Sequence, residues 1–243
     1  MSDPAERPAF YALPGGGWRD YWTLLHPPYT LWHLSYVAMG AATAPSIRLQ
    51  WLGETLLAFF LAMGVAAHAL DELHGRPLGT RIPSGVLIAL SVLGLAGAAG
   101  LGLHGMAQVS PWLGAFIVAG IVLVLAYNLE LAGGVVHSDL WFALAWGGFP
   151  VLTAAFAQTA TFRPEAVLVA GACVAISASQ RELSTPVRHL RRHVAAVEGR
   201  LVLRDGSTEP LDPEGLRRPP ERALRLLSLA MPLLATGAVL TRL

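Results

Sequence analysis

Between His68 and Gly85 the chain reads HALDELHGRPLGTRIPSG, and this stretch gathers His68, Asp71, Glu72, His74, Arg76 and Arg81 into fourteen positions. It follows directly on a long apolar run. On a helix, His68, Asp71 and Glu72 stand at i, i+3 and i+4 and share a face. Two carboxylates offer oxygens to a hard divalent cation, and Mg²⁺ commonly takes one or two carboxylates together with substrate phosphates. Arg76 and Arg81 have the fork that clamps phosphate oxygens. The pattern points to a site for a diphosphate, with Asp71 and Glu72 as metal ligands. The plainer alternative, interfacial residues marking a helix end, accounts for one or two charges and poorly for six.

Ionisable residues within or beside apolar segments are costly and point to function by default, so three other groups join the list of candidates. Cys173, Ser177, Gln180, Arg181 and Ser184 form a polar stripe at helical spacing, followed by Glu182 and Arg188. Alone, that stripe reads as a snorkelling helix end. Tyr127 and Asn128 lead through Glu130 to His137 and Asp139. His33 lies in an apolar run beside Trp32 and Tyr36, where a single histidine is more often hydrogen-bonded within a bundle than bound to a ligand.

The elements that would position these groups are membrane helices. The chain of 243 residues is 54% hydrophobic and 14% charged, with a mean hydropathy of +0.52, whereas soluble domains carry roughly 25% charged residues. Runs suited to spanning a bilayer, each needing about 20 apolar residues, fall near Tyr29–Ala44, Leu49–Leu70, Val86–Met106, Trp112–Leu129, Leu140–Thr159, Glu165–Ser179 and Ala223–Leu240. The expected fold is all-α, a polytopic transmembrane bundle of about seven spans in one domain over residues 29–243, after a polar lead-in over 1–28. That lead-in has no apolar core of signal-peptide type. The single cysteine, Cys173, excludes an intramolecular disulfide and paired-cysteine metal sites. No nucleic-acid partner is expected.

Basic residues are enriched on the cytoplasmic side. All 17 are arginine. Arg76 and Arg81 follow the second run, and a series from Arg181 to Arg222 follows the sixth, while the intervening connections are nearly free of them. This places the N-terminus and the His68–Gly85 loop in the cytoplasm and the C-terminus outside. The polar insert over 184–220 holds Leu190, Val194, Val197 and Leu201 at helical spacing among Arg188, Arg191, Arg192 and His193, which predicts a basic amphipathic helix on the membrane surface. Asp205-Gly206 predicts a hairpin turn after it.

Ala67-His68-Ala69-Leu70-Asp71 followed by Arg81-Ile82-Pro83-Ser84-Gly85 resembles the first signature of the UbiA superfamily of intramembrane aromatic prenyltransferases, an Asn-Asp-x-x-Asp pattern, an arginine-containing loop and a Pro-Ser-Gly-like step. Tyr127, Gly147-Gly148-Phe149-Pro150-Val151-Leu152 and Gln158-Thr159 are similar to the menaquinone-type branch, as is the helix from Trp32 to Ala42. The likeness covers about residues 30 to 190. It departs in three ways: Ala67 and His68 stand where the family has Asn-Asp, the stretch Ser177–Arg188 has Glu182 as its only acid, and the family's last two helices have no counterpart.

What the resemblance implies is transfer of a prenyl group from a prenyl diphosphate to a lipophilic acceptor, with Mg²⁺ at Asp71 and Glu72, and Glu182 for the second acidic motif. His33, His68, His74, Arg76, Arg81, Tyr127, Asn128, His137, Gln180, Arg181 and Arg188 would bind substrate. The expected location is a bacterial or archaeal cell membrane. Two alternatives stay open. One is a catalytically inactive relative that binds a lipid or quinone. The other is a transition-metal site at His68, Asp71, Glu72, His74 and His137, since imidazole with carboxylate suits zinc or iron.

Overall fold

A computed structural model describes residues 7–243, which form an all-α bundle with one small hairpin. A short helix α1 (Trp18–Leu24) precedes α2 (Pro27–Ala41), α3 (Leu49–Leu73), α4 (Ser84–Gln108), α5 (Leu113–Asn128), α6 (Asp139–Thr159), α7 (Pro164–Arg192) and α8 (Pro213–Leu240). Five of these, α3, α4, α6, α7 and α8, are long and apolar enough to cross a membrane. Large apolar side chains point outward from them, among them Leu93 on α4, Leu168 on α7 and Leu233 on α8. In water such a surface would be a liability, and in hydrocarbon it is the natural one, because a helix already satisfies its own backbone. The chain is therefore an integral membrane protein. Helices α2 and α5 have 15 and 16 residues, short of the usual span.

Helix α2 is the interior strut. It packs chiefly against α6 and α8 and buries Trp32, Tyr36, Val37 and Ala41 almost completely. The Trp32 indole donates to the Tyr36 hydroxyl (2.7 Å), which also accepts from Ser177 on α7 (3.2 Å). Two glycines let backbones touch: a Cβ on Gly40 would lie 2.3 Å from the Val151 carbonyl oxygen of α6, and one on Gly147 would lie 2.4 Å from that of Cys173 on α7. Small residues at such crossings are what packing in lipid selects.

Two helices are locally unwound. Phe60–Ala67 in α3 and Leu144–Gly148 in α6 are π-helical, a wider turn that is frequent at functional sites. The bundle has two distinct ends. At one, Arg48 and Gln158 exchange hydrogen bonds (2.9 and 3.3 Å) and Arg242 reaches the Ala42 carbonyl (3.1 Å). At the other, the C-terminal ends of α3, α5 and α7 surround a cavity.

The basic stretch after Ser179 differs from expectation. It forms no separate surface helix, because α7 runs unbroken through Pro186 to Arg192. The same 3.6-residue apolar repeat suits either arrangement, so periodicity could not tell a continuing helix from a new one. Leu201 lies instead on β1 (Arg200–Val202), paired antiparallel with β2 (Thr208–Pro210). The Asp205-Gly206 turn is as expected, with Gly206 at φ 84° and Asp205 accepting from Ser207.

Candidate functional site

The cavity at the second end has a volume of about 350 Å³, within the range of small-molecule pockets. Helix α3 contributes Met63, His68 and Asp71, α5 contributes Tyr127 and Asn128, α6 contributes Phe142 and Trp146, and α7 contributes Gln180, Arg181, Ser184, Arg188 and Arg192. From the N-terminal side come Phe10, Tyr11, His26, Tyr29 and His33. Groups scattered over 180 residues of chain thus meet in one place. Of the residues singled out from sequence, His33, His68, Asp71, Tyr127, Asn128, His137, Gln180, Arg181, Ser184 and Arg188 line it.

The others lie elsewhere, and their surroundings say why. Glu72 is fully buried, but one carboxylate oxygen accepts from the Leu78 amide (2.9 Å) and the other from the Thr80 amide and hydroxyl (both 2.8 Å). Its acceptor capacity is spent on closing the 74–83 connection. Arg76 does the same as a donor, to the carbonyls of Thr80 (3.2 Å) and Ile82 (2.6 Å) and to Ser84 Oγ (2.9 Å). The Arg81 amide donates to buried Asp20 (3.0 Å), while the Arg81 side chain, His74 and Glu182 are exposed outside the cavity. Successive residues on a helix point about 100° apart, so Asp71 and Glu72 cannot share an outlook, and only Asp71 looks into the cavity.

This bears on Mg²⁺. The expected Asp71–Glu72 pair does not fit a cation, because Glu72 is already committed to three donors. Glu182 cannot supply the missing ligand from where it stands. No cluster of three or more His, Cys, Asp or Glu side chains suited to a metal occurs among the described residues, which also leaves the His68, His74 and His137 set apart.

Among the described residues the lining is cationic on balance, with three arginines and one carboxylate, Asp71. Arg181 is engaged: its Nε donates to Asp139 (2.6 Å) and its guanidinium lies 5.2 Å from the Phe142 ring centre. Arg188 has a 3.3 Å contact to Thr185, and no acid lies within ion-pair distance of Arg188 or Arg192 among the described residues. Arg192 Nε is buried without a partner among the described residues. By contrast Arg191, one position away, is paired through Nη2 with both oxygens of Glu221 (2.9 and 2.8 Å).

Aromatic and imidazole rings complete the walls. Tyr127 stacks on His137 (4.5 Å between centres) and lies 4.9 Å from Trp146. The rings of His26 and His68 are 4.3 Å apart. His33 is 5% exposed, and neither ring nitrogen has a hydrogen-bond partner among the described residues. At the mouth, Tyr11 shares a short hydrogen bond with His26. Burial pushes the Tyr11 hydroxyl well above its usual pKa, and burial together with neighbouring His68 holds His26 well below the usual histidine range.

Sequence reasoning missed Tyr11, His26, Tyr29, Phe142, Trp146 and Arg192. Arg192 was detectable, since 181, 188 and 192 fall on one face at i, i+7 and i+11. Nothing local marks Tyr11, which reaches the cavity through the path of the lead-in.

A second, smaller cavity of about 130 Å³ is almost wholly apolar and lies among α3, α4, α5 and α6, with Leu95, Phe116, Ile121 and Val124 in its walls. It shares Met63 and Trp146 with the first. Both residues sit on the π-helical segments.

Comparison with protein-family models, curated proteins and solved structures finds no match for this chain.

Proposed function

We propose that this chain is a UbiA-like membrane prenyltransferase, with its N-terminus and cavity facing the cytoplasm. It takes the diphosphate of a prenyl diphosphate into the arginine-lined cavity and lays the prenyl tail in the adjoining apolar one. The observation that carries this reading is the junction at Met63 and Trp146, where a cationic chamber meets an apolar one inside a membrane bundle. An amphiphile with an anionic head and a hydrocarbon tail matches both.

In the reaction so read, the bond between C1 and the diphosphate oxygen breaks and its electron pair leaves on the diphosphate. Arg181, Arg188 and Arg192 face the charge that develops there. The allylic cation forms near the junction, where the faces of Trp146 and Tyr127 stabilise positive charge. The lipophilic acceptor supplies an electron pair to C1 and gives up a proton. Helices α2 and α5 would complete seven crossings by pairing with the five longer helices. Cysteine labelling near residues 10 and 242 from opposite sides of a sealed vesicle tests that topology.

Purified protein in lipid nanodiscs should release pyrophosphate from an allylic diphosphate when a lipophilic aromatic acceptor is supplied. No release with any allylic diphosphate would remove prenyl transfer. A second reading, an inactive relative that binds the lipid without transfer, is favoured by the commitment of Glu72 to the loop and the outward position of Glu182. Binding without pyrophosphate release would identify it.

A further inference from the structure

Resting on the ligand class just proposed, we infer that Arg188 and Arg192 of α7 hold the diphosphate head directly, by guanidinium forks, with no divalent cation between protein and ligand. The inference deepens the reading by assigning the recognition chemistry of the same cavity. Three observations carry it. Among the described residues the acids that a cation would need are spent or elsewhere: Glu72 accepts three hydrogen bonds from the 74–83 connection, Glu182 is outside, and Asp71 is the one carboxylate of the described lining. Two arginines of the lining lack an acid partner among the described residues, while Arg191, in the same turn and itself buried, has one. Leaving cationic groups partly buried and unpaired is costly, and an anionic ligand offsets that cost in a way a metal complex of lower net charge would not. The buried Nε of Arg192 has no acceptor among the described residues, a condition it shares with the Nε atoms of Arg7 and Arg163, but it alone of these three lines the cavity. Bidentate recognition of phosphate oxygens is what guanidinium geometry favours.

The deciding experiment measures farnesyl diphosphate and inorganic pyrophosphate binding to the full chain in nanodiscs of zwitterionic lipid, with excess EDTA and with excess Mg²⁺. Wild-type affinity for farnesyl diphosphate should agree within about threefold between the two conditions, and should exceed that for pyrophosphate because of the tail. Arg188→Gln and Arg192→Gln should each weaken binding about tenfold or more in EDTA, the size expected when a charge-assisted bidentate contact is lost. Should either fail to fold, Arg188→Lys keeps the charge, loses the fork and should bind severalfold more weakly. Asp71→Asn should bind as well as wild type or better, since it removes a negative charge from an anion site. The inference is overturned if EDTA weakens wild-type binding tenfold or more, if Asp71→Asn does the same, if the arginine variants bind like wild type, or if nothing binds in either condition. Pyrophosphate release on the same preparations separates the two readings. EDTA-insensitive binding without release leaves the arginine clamp standing and removes transfer, and release that requires Mg²⁺ together with EDTA-sensitive binding does the reverse.

Discussion

The connection after α3 and the cavity end of α7 contain similar side chains, acids and arginines within a dozen residues, yet they behave in opposite ways. In the first, Glu72 and Arg76 turn inward on their own backbone and close it with six hydrogen bonds to Leu78, Thr80, Ile82 and Ser84. In the second, Arg188 and Arg192 project into open space with little to bond. The difference lies in the backbone. A looping chain exposes amides and carbonyls that must find partners, and nearby charged side chains are drawn into that service. A continuous helix has already paired its backbone, so side chains along it stay available. A charged cluster is therefore better evidence for a ligand site on a helix than in a loop.

The comparison can be broken most severely at Glu72. Glu72→Ala strands three buried donors, and at about 1–3 kcal/mol for each unsatisfied group the protein should lose roughly 3 kcal/mol or more and melt well below wild type. Farnesyl diphosphate binding by the folded fraction should persist. An unchanged melt with lost binding would return Glu72 to the site. Arg76→Ala should cost less, about 1–3 kcal/mol, because this side chain is half-buried and water can replace some of its bonds. Protease cleavage between residues 74 and 83 would reveal the loosened connection, and a variant as resistant as wild type would contradict its role as a clasp. The double change Arg188→Gln with Arg192→Gln should leave the melt unchanged or raise it by about 1 kcal/mol or less, since it removes unpaired charge. A large loss of stability there would mean that the arginines hold the bundle together.

The smallest expected effect concerns the cavity mouth. His26 is held below its usual range by burial, then by His68 and the arginines. An unfolded or opened chain binds more protons at His26 once the pH falls below about 6.5. The contribution of buried His26 is thus fully present above that value and declines as the pH drops beneath it. Protection of amides over residues 9–13, with exchange rates normalised to the intrinsic rate at each pH, should fall from about pH 7.5 to about pH 5.5, and less so in His26→Gln. Equal protection at both values in wild type would show that His26 titrates without opening the mouth.

The helical runs were legible from hydropathy because a membrane demands long apolar segments, and the hairpin was legible from Asp205-Gly206. The cavity was legible in part. Asp71, Tyr127, His137, Gln180 and Arg181 were found because polar groups at the ends of apolar helices are unusual. Glu72 and Arg76 were assigned to the site for the same reason, and only their bonds to the loop separate them from it. The basic repeat up to Arg192 was taken as a surface helix because helical periodicity carries no information on whether a helix is new or continuing. The π segments left no trace, since a wider turn does not interrupt the apolar run that marks a membrane helix.

One of those segments sets a choice between neighbours. A π turn accommodates one residue more than the α-helix would, so Phe60–Ala67 acts as a phase offset on everything that follows in α3. Drawing that segment into a regular α-helix without removing a residue would turn the downstream face by about 100°. Leu70 would then occupy the station of Asp71 at the cavity, and Asp71 that of Glu72 beneath the loop. Which acid faces the ligand and which holds the loop is therefore decided a full turn upstream of both.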